Sequence, residues 1–295
     1  MAPRRFRLRW KGFRGLGAII VGVAAVAALW QGLLLLVAAV FPEQVVAGYG
    51  TIEVGQWVEA ALFRTETTIT APMAGTFRPS QPAGERIAAR GVVGEIKRSG
   101  GQSVAVKTRA SGLIAYTVDG QEQTLTPAMC LADPRDAFQK AKSSRARQSG
   151  RGAVRAGEPV AKLVDDRQMY LLYQSGHRDG PPPRPGDQLW ARDHEALIPL
   201  SVASVIADGG THWVALRTER FPPAWLDQRC VDVYLVFSRF KGTVVPRRCL
   251  RLRDGQLGVT IIHDGRPSFQ AVELLGQDRH RAVVKGLREG DILVP

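Results

Sequence analysis

The segment Ala71-Pro72-Met73-Ala74-Gly75-Thr76-Phe77 marks a sharp corner between two predicted strands. The preceding residues 67–70 are threonine and isoleucine, which are β-branched and favour strands. Proline presets one backbone angle and glycine tolerates positive ones, so both are common where a chain reverses direction. The segment therefore predicts a strand that ends, a tight turn, and a new strand that begins near Gly75.

A second corner of this kind follows 37 residues later. Aligning Gly75 with Gly112 superposes the first corner on residues 108–114, where small residues again precede the glycine. Between the corners, glycines in residues 84–96 punctuate further short strands. Two half-motifs of this kind predict a compact sandwich, and only residues 97–103 separate them.

Short strands also dominate the C-terminal half of the chain. Segments rich in β-branched residues recur there, and no heptad pattern follows residue 42. The predicted strands of this half are 187–192, 198–206, 212–218, 230–237, 243–246, 257–262, 269–274 and 281–284. Strands this short at such intervals are typical of small barrels rather than of parallel α/β folds. The sequence therefore predicts a mainly β protein.

The middle of the chain has a different composition. Residues 133–148 can form a short helix, with Asp133 as its cap and Pro134 at its first position. Residues 143–155 are basic and rich in glycine and serine, which predicts a solvated loop, with a binding arm as the alternative. Residues 175–186 are rich in proline and predict a stiff linker or edge loop.

The N-terminus predicts a membrane anchor. Residues 1–15 contain six basic residues and no acidic one, and the 26 residues from Leu16 to Phe41 carry no charge. About 20 apolar residues in a helix cross a hydrocarbon core of about 30 Å, so residues 16–41 can span a bilayer. A cleavable signal peptide would have a shorter apolar region of about 7–15 residues. The positive-inside rule places residues 1–15 in the cytoplasm and the chain after Pro42 outside.

The exported part is mildly cationic. The whole chain has a net charge of +13, but after the six N-terminal bases 34 basic residues stand against 27 acidic ones. This balance and the predicted location argue against nucleic-acid binding. They suit a surface that faces anionic lipid or cell-wall polymer.

The three cysteines do not describe a disulfide scaffold, because they are few and odd in number. Cys230 and Cys249 both lie in strand-like segments and can pair in an oxidising compartment. The alternative is that Cys130, Cys230 and Cys249 are separate buried thiols. The residues alone leave both open.

No sequence motif indicates catalysis or a bound metal. The five histidines are scattered, and His194-Glu195 lacks the second histidine of a zinc-protease motif, since Ile198 occupies its position. No catalytic, metal-binding or cofactor-binding residue and no cofactor is therefore predicted. Arg64 and Glu66 share one face of a strand, which predicts a charged stripe facing a partner or a solvated face.

Four glycines are predicted to serve the backbone at turns rather than to contact a ligand, because glycine adopts angles closed to other residues. These structural turn glycines are Gly75, Gly112, Gly286 and Gly290.

Taken in order, these segments resemble the membrane fusion proteins of the HlyD type, also called periplasmic adaptor subunits. Residues 71–76 are similar to the corner that opens the family's lipoyl-like barrel-sandwich hybrid, and residues 109–114 resemble its returning half. Residues 282–291, with Gly-Leu and Gly-Asp pairs, look like the closing strands of the membrane-proximal module. Residues 112–127 are most similar to HlyD-like proteins from Gram-positive bacteria.

The resemblance implies a modular chain. The implied parts are a basic tail (1–15), a transmembrane helix (16–41), the first strands of a membrane-proximal module (44–65), the barrel-sandwich hybrid (66–130), a basic loop with a short helix (131–155), a β-barrel module (155–238) and the rest of the membrane-proximal module (240–295). Typical adaptors insert a long helical hairpin between the two halves of the hybrid. Residues 97–103 leave no room for one, which argues against docking to a distant channel.

The resemblance also implies a function. It predicts a single-pass, non-enzymatic adaptor in the cell membrane that forms homo-oligomers and contacts an inner-membrane export transporter, ABC-type or proton-driven, on the extracytoplasmic side. One alternative is an envelope scaffold that binds cell-division or cell-wall machinery without transport. A second is an extracytoplasmic enzyme, which would need a clustered polar pocket.

Overall fold

A computed structural model of the 295-residue chain describes residues 27, 29–31, 43–149, 152–176, 182–193 and 196–295. Residues 27 and 29–31 are helical, while the rest of the predicted span 16–41 and the predicted tail 1–15 lie outside the described residues. Within the described part of the chain, no helix is long and apolar enough to cross a membrane.

The described chain is mainly β, as predicted, and divides into two compact units. The larger unit contains residues 53–239, and the smaller unit contains the residues up to 52 together with 240–295. The strands are β1 (Val45–Val46), β2 (Gly48–Thr70), β3 (Gly75–Pro79), β4 (Arg86–Ile87), β5 (Val92–Lys97), β6 (Ser103–Lys107), β7 (Gly112–Ala115), β8 (Thr117–Val118), β9 (Arg147–Gln148), β10 (Gly152–Val154), β11 (Pro159–Ser175), β12 (Gln188–Asp193), β13 (Ala196–Asp208), β14 (Thr211–Thr218), β15 (Cys230–Pro246), β16 (Leu250–Arg253), β17 (Gln256–His263), β18 (Arg266–Ala271), β19 (Glu273–Gln277), β20 (Arg281–Lys285) and β21 (Ile292–Val294). The α-helices after residue 43 are α1 (Pro127–Ala132) and α2 (Pro134–Ser143), and short 3-10 turns occupy Pro223–Trp225 and Arg247–Cys249.

Two sheets of the larger unit form a sandwich. One has the strand order β10-β3-β5-β6, and the other joins β4, β7, the start of β11 and the end of β2. Side chains of both sheets form a single apolar core, which includes Phe77, Ile96, Val106, Ile114 and Leu163. The sandwich is the barrel-sandwich hybrid that the two corners predict.

The connection between β5 and β6 is a tight turn. Lys97 pairs with Ser103, and the amide of Arg98 donates a hydrogen bond to the carbonyl of Gln102 at 2.8 Å. A helical hairpin therefore does not leave the hybrid at this point.

The hybrid reaches further along the chain than residue 130, the end that the sequence suggested. Strand β10 pairs with β3, and Pro159–Val164 of β11 pairs with β2 and β7. The helices α1 and α2 interrupt the second half of the sandwich, so its last strands lie beyond an insertion of residues 119–149. Strand pairing across such an insertion cannot be deduced from local sequence patterns.

Six strands of the larger unit close into a barrel. Their pairing follows the ring β2-β11-β14-β13-β12-β15 and returns to β2. Its interior holds Ala60, Leu62, Met169, Leu171, Tyr173, Leu189, Ala191, Ile198, Leu200, Val202, Val214, Leu216, Trp225, Val231, Val233 and Leu235. Strand β2 thus belongs to the barrel as well, although the sequence assigned residues 44–65 to the membrane-proximal module.

The helices α1 and α2 cover one outer face of the barrel. Successive side chains of a strand point to opposite faces, so Leu62 enters the barrel while Phe63 points out. Phe63 packs there with Leu172 and with Phe138 of α2. The middle of β2 is consequently buried on both faces, which explains its unbroken apolar run.

The smaller unit is a separate β-structure with its own core. Its main sheet has the order β1-β21-β17-β16, with β18 paired to β17. The end of β15 pairs with β20, which pairs with β19. The buried core residues are Ala47, Val245, Cys249, Val259, Ala282, Val284 and Leu293. Residues 45–52 and 240–295 therefore contribute to one unit.

Candidate functional site

A cluster of five charged side chains lies inside the larger unit. Arg64 and Glu66 lie on β2, Lys162 on β11, Asp119 directly after β8, and Arg229 directly before β15. The side chains of Arg64 and Glu66 have no exposed surface, and the other three are 2–8% exposed. Water solvates charges better than a protein interior does, so a buried group of this kind persists only when its charges are paired. We call these five residues the charge cluster.

The charge cluster lies where the hybrid meets the barrel. Strand β11 pairs with β2 twice, and the register shifts between Val164, opposite Glu66, and Met169, opposite Arg64. Residues 165–168 form the bulge between these two pairings. Glu66 therefore belongs to the hybrid side of the bulge and Arg64 to the barrel side.

Arg64 connects β2 to the loop before β15. Its Nη1 donates to the carbonyl of Trp225 at 2.7 Å, and its Nη2 donates to the carbonyl of Leu226 at 2.6 Å. Its Nε donates to Oε1 of Glu66 at 2.7 Å. The planar guanidinium offers several donors in a fixed geometry, which suits it to tie one charge and several carbonyls together.

Arg229 bridges the two carboxylates. Its Nη2 lies 2.5 Å from Oε2 of Glu66, and its Nε lies 2.6 Å from Oδ2 of Asp119. Lys162 adds a third cation, with Nζ 3.3 Å from Glu66. Glu66 therefore faces three positive groups and has its charge compensated from three parts of the chain.

Asp119 ties the helical insertion to this network. It accepts a hydrogen bond from Oγ of Ser144, the residue after α2, at 2.6 Å, and another from the amide of Gln121 at 3.0 Å. Asp119 begins the insertion and Ser144 follows its second helix. The charge cluster therefore joins the hybrid, the barrel and the insertion.

The paired environment shifts the pKa values of the cluster. Burial raises the pKa of Glu66, but Arg64, Arg229 and Lys162 outweigh it and hold this pKa below its ordinary value. Burial likewise opposes ionisation of Asp119, while hydrogen bonds from Arg229 and Ser144 bring its pKa well below the usual range. Burial lowers the pKa of Lys162. Both carboxylates are thus ionised in the folded protein at neutral pH.

We expect the larger unit to lose stability in acid. A carboxyl whose pKa is lower in the folded state stabilises the fold above its unfolded pKa, about 4, and loses this contribution as the pH falls further. The stability should therefore change little between about pH 7 and pH 5 and decrease below about pH 4. Urea unfolding at a series of pH values, followed by tryptophan fluorescence, measures this, since Trp57, Trp190, Trp213 and Trp225 lie in the larger unit.

The variant Asp119→Asn tests whether the cluster causes this dependence. It should be less stable than the natural protein at pH 7 and lose less stability in acid. Asp254→Asn, at a side chain that is 94% exposed in the smaller unit, is the matched control and should change neither. An acid dependence of Asp119→Asn equal to that of the natural protein would contradict the assignment.

One donor of the cluster has no acceptor. Nη1 of Arg229 is the one buried side-chain nitrogen or oxygen without a hydrogen-bond partner in the described part of the chain. Nearby, Thr117 donates a hydrogen bond to Asp227, and both line a cleft of about 490 Å³. The cleft is otherwise lined by Pro79, Gln81, Pro82, Ala83, Tyr116, Gln148 and Ser149. These groups offer hydrogen bonds and apolar contact.

A second candidate lies on the outer face of the barrel. Trp57 is 70% exposed and meets the ring of Tyr234 edge-on at 5.6 Å. On the neighbouring strand β12, Arg192 pairs with Tyr234 and Trp190 pairs with Val236. Because interior side chains alternate with these, Trp57, Tyr234, Arg192 and Trp190 point outward and keep exposed surface, whereas Val236 is fully buried and is left out. We call these four residues the aromatic patch.

The predicted glycines divide into two kinds. Gly286 and Gly290 have φ angles of +107° and +94°, which side chains rarely adopt. Gly75 and Gly112 begin strands, and a Cβ at either would lie 2.6 Å from a carbonyl oxygen, that of Lys97 or Val164. In the hybrid, glycine thus permits close approach of a neighbouring strand.

Both predictions for Arg64 and Glu66 were wrong. The two residues share a strand face, as expected, but that face is covered, and they face neither solvent nor a partner. The reason is that Arg229, 163 positions after Glu66, folds over them and supplies the opposite charge. Local alternation of residues in a strand cannot reveal such a cover.

The cysteines are separate thiols, as one of the two alternatives predicted, but only Cys130 and Cys249 are buried and Cys230 is half-buried. Cys130, Cys230 and Cys249 are all free. Cys130 packs in the apolar core under α1 and α2, and burial raises its pKa to about 12. Cys249 lies in the core of the smaller unit. Among the described residues, no group of three or more His, Cys, Asp or Glu side chains is arranged to hold a metal ion.

Three members of the charge cluster were not predicted from the sequence. Lys162 carried a usable signal, because a lysine inside the apolar run Val160 to Val164 needs a buried partner. Asp119 appeared only as part of a turn with Gly120, and Arg229 had no local signal. The segment Gly157-Glu158-Pro159-Val160 also repeats Gly84-Glu85-Arg86-Ile87 in outline, and it leads into β11, the last strand of the hybrid.

Comparison with known proteins supports the assignment of a barrel-sandwich hybrid in this chain. Residues 66–165 match the family model described as the RND-related barrel-sandwich hybrid domain. This match runs from Glu66 to Asp165, so its limits coincide with the β11 bulge and the charge cluster. It confirms the resemblance to membrane fusion proteins over this stretch and supports an adaptor role. No curated protein matches the sequence.

Solved structures show distant likeness. ZneB from Cupriavidus metallidurans is 14% identical, with 86% of this chain and 92% of that chain covered and a TM-score of 0.30. MacA from Actinobacillus actinomycetemcomitans is 10% identical, with 86% and 99% covered and a TM-score of 0.38. A MacA-MexA chimera that contains the Pseudomonas aeruginosa MexA α-hairpin domain is 12% identical, with 84% and 98% covered and a TM-score of 0.32. Likeness at this level says nothing about the partners of this chain.

Proposed function

We propose that this chain is a membrane-anchored, non-enzymatic adaptor that contacts an inner-membrane export transporter on the extracytoplasmic side. The observation that carries the proposal is the match of residues 66–165 to the RND-related barrel-sandwich hybrid domain. The anchor is the apolar segment 16–41, with the basic residues 1–15 in the cytoplasm. The transporter is of the ABC or proton-driven class, and the adaptor acts as a homo-oligomer.

The course of the chain supports an anchored adaptor. The first strand of the smaller unit begins at Val45, a few residues after the proposed anchor, and the unit also contains residues 240–295. The chain therefore passes through the larger unit and returns to the unit that holds its beginning. This arrangement keeps both ends of the exported chain near the membrane.

The aromatic patch is the surface we assign to the transporter. Tryptophan, tyrosine and arginine dominate the binding energy of protein interfaces, and Trp57, Tyr234 and Arg192 lie together on it. Trp57 is the most exposed of the three, so it has the most surface to bury in a contact.

Affinity purification tests the proposal. The tagged full-length chain is crosslinked in native membranes, solubilised and purified, and the co-purifying proteins are quantified by mass spectrometry. We expect an export permease to be enriched over untagged membranes. Hot-spot side chains contribute about 2 kcal/mol or more, so Trp57→Ala should lower the recovery of this permease by roughly tenfold or more.

Ile206→Ala is the matched control, because Ile206 is an exposed apolar residue on β13 that lies outside the aromatic patch. It should recover as much permease as the natural chain. Recovery of cell-wall or division proteins in place of a permease would contradict the adaptor role and support the alternative role of an envelope scaffold. The tight turn between β5 and β6, which takes the place of a helical hairpin, is the observation that favours this second candidate.

A further inference from the structure

The smaller unit carries a dense group of arginines at one edge. Residues 247–256 contain four arginines and one aspartate, from the 3-10 turn through β16 to the start of β17. Arg247 and Arg251 have no acidic side chain within 4 Å among the residues that the structure describes. The acidic partner of Arg253 in the described chain is Asp254 at 3.8 Å, with both side chains largely exposed, and its guanidinium also lies 5.9 Å from the centre of the Phe269 ring. This edge therefore carries uncompensated positive charge.

The hairpin β16–β17 also exposes an apolar side chain. Its turn is formed by Asp254 and Gly255, both with positive φ. Leu252 pairs with Leu257 across the hairpin and is 74% exposed. Leu252 lies between two arginines of β16 in sequence and projects from the opposite face of that strand. An exposed leucine on a hairpin edge that also carries arginines is a combination that interfacial membrane contacts use, since the apolar side chain enters the headgroup region and the cations stay at its surface.

The same edge is tied to the start of the exported chain. Arg248 makes a double hydrogen bond with the carboxylate of Glu43, one arm of which measures 3.0 Å. Arg251 donates to the carbonyl of Arg248 at 2.6 Å, which keeps its guanidinium beside this pair. A backbone contact also holds this start of the chain in the smaller unit, because Val45 of β1 pairs with Leu293 of β21.

Chain length then limits the distance between this edge and the membrane. Glu43 is two residues after Phe41, where the uncharged segment ends. Two residues reach at most about 7 Å. An edge that binds Glu43 is thus held within a few ångströms of the headgroups, provided that residues 16–41 are the anchor of the proposed function.

We infer that the edge formed by Arg247, Arg251, Leu252 and Arg253 binds anionic lipid headgroups of the bilayer that anchors the chain. The inference rests on the proposed function, because it needs the anchor. The positive charge, the exposed leucine and the short tether all select a lipid surface. The contact fixes the orientation of the smaller unit on the membrane.

Side-chain labelling in nanodiscs tests the inference. The full-length chain is reconstituted in discs of phosphatidylcholine alone and in discs that also contain phosphatidylglycerol. Hydroxyl-radical oxidation of Leu252 is then quantified by mass spectrometry, because this reaction follows solvent exposure of the side chain. We expect Leu252 to be oxidised severalfold more slowly in the anionic discs, and we expect high salt to remove the difference.

Variants identify the groups responsible. Each arginine near an anionic surface strengthens the contact roughly fivefold, so Arg247→Gln, Arg251→Gln and Arg253→Gln together should weaken it about a hundredfold. Leu252 in this triple variant should be oxidised equally in both discs. Arg266→Gln is the control, because Arg266 lies beyond the other end of β17, about 24 Å away by strand length, and should leave the protection unchanged.

The outcomes separate the two proposals. Fast oxidation of Leu252 in both discs, with the chain embedded and the permease still captured, would overturn the lipid contact alone. Slow oxidation of Leu252 in both discs would also overturn it, since a second copy or another protein would then cover the leucine. A chain that does not embed in either disc would refute the anchor and, with it, this inference.

Discussion

Glu66→Ala is expected to destabilise the larger unit by about 3–5 kcal/mol, because removing one partner of a buried ion pair leaves a charge without compensation. Here the effect is aggravated, since Arg64, Arg229 and Lys162 all face this carboxylate. Their mutual repulsion, now partly cancelled by Glu66, would act on a site closed to water. Urea unfolding of the full-length chain in mild detergent, followed by tryptophan fluorescence, measures the loss.

Glu219→Ala is the matched control for this prediction. Glu219 also pairs with an arginine, Arg217, at 2.7 Å, but its side chain is 72% exposed. Exposed pairs contribute about 0–1 kcal/mol, so this variant should unfold almost as the natural protein does. Equal losses of unfolding free energy in the two variants would show that burial of the charge cluster does not increase its contribution to stability.

A double-mutant cycle separates the pair from its surroundings. Glu66→Gln combined with Arg229→Gln should lose less stability than the two single losses added together, with a coupling of about 0.5–3 kcal/mol. The reason is that the second substitution removes one of the charges that the first one leaves unpaired. Strict additivity of the two losses would mean that the 2.5 Å contact contributes no coupling.

Phe63→Ala is expected to cost about 3–5 kcal/mol through the cavity that it leaves between the barrel and the helices. Helices shorter than about 12 residues are marginal in water, so α1 and α2 depend on this packing for their structure. Phe63 is fully buried and packs with Phe138 and Trp213 in the core beneath them. The amides of α1 and α2 should therefore exchange with deuterium much faster in the variant, as hydrogen-exchange mass spectrometry can measure.

Trp57→Ala provides the comparison for Phe63→Ala. Trp57 projects from the same face of β2, six residues earlier, but is 70% exposed. Its edge contact with Tyr234 contributes about 0.5–1.5 kcal/mol, and Trp57 is not part of the core beneath the helices. Exchange in α1 and α2 should remain slow in this variant. Fast exchange there in both variants, or in neither, would refute the assigned role of Phe63.

Much of the fold could be predicted because the determining patterns are local. The corner at residues 71–77, the turn between β5 and β6 and the cap of α2 at Asp133 each depend on residues close together in sequence. β-Branched residues, glycine and proline act on the backbone at their own position. Such effects can be recognised without knowing what packs against the segment.

The limits of the hybrid were harder to predict for a topological reason. The insertion 119–149 separates strands that pair in space, so the second half of the sandwich resumes only at Gly152. Strand β2 likewise serves both the hybrid and the barrel, and the bulge at residues 165–168 marks the passage from one to the other on β11. Periodicity in the sequence shows where a strand lies but leaves its partner undetermined.

The sequence by itself determined a β-rich chain with two glycine corners, a short link between the hybrid halves and an uncharged segment that predicts an anchor. Only the tertiary structure decided that Arg64 and Glu66 are buried and that Asp119, Lys162 and Arg229 meet them. The physical reason is that a charge alone on a strand has the same local sequence whether it faces water or a distant partner. Its energy depends on the groups that folding brings within hydrogen-bond distance, and Arg229 lies 163 residues from Glu66.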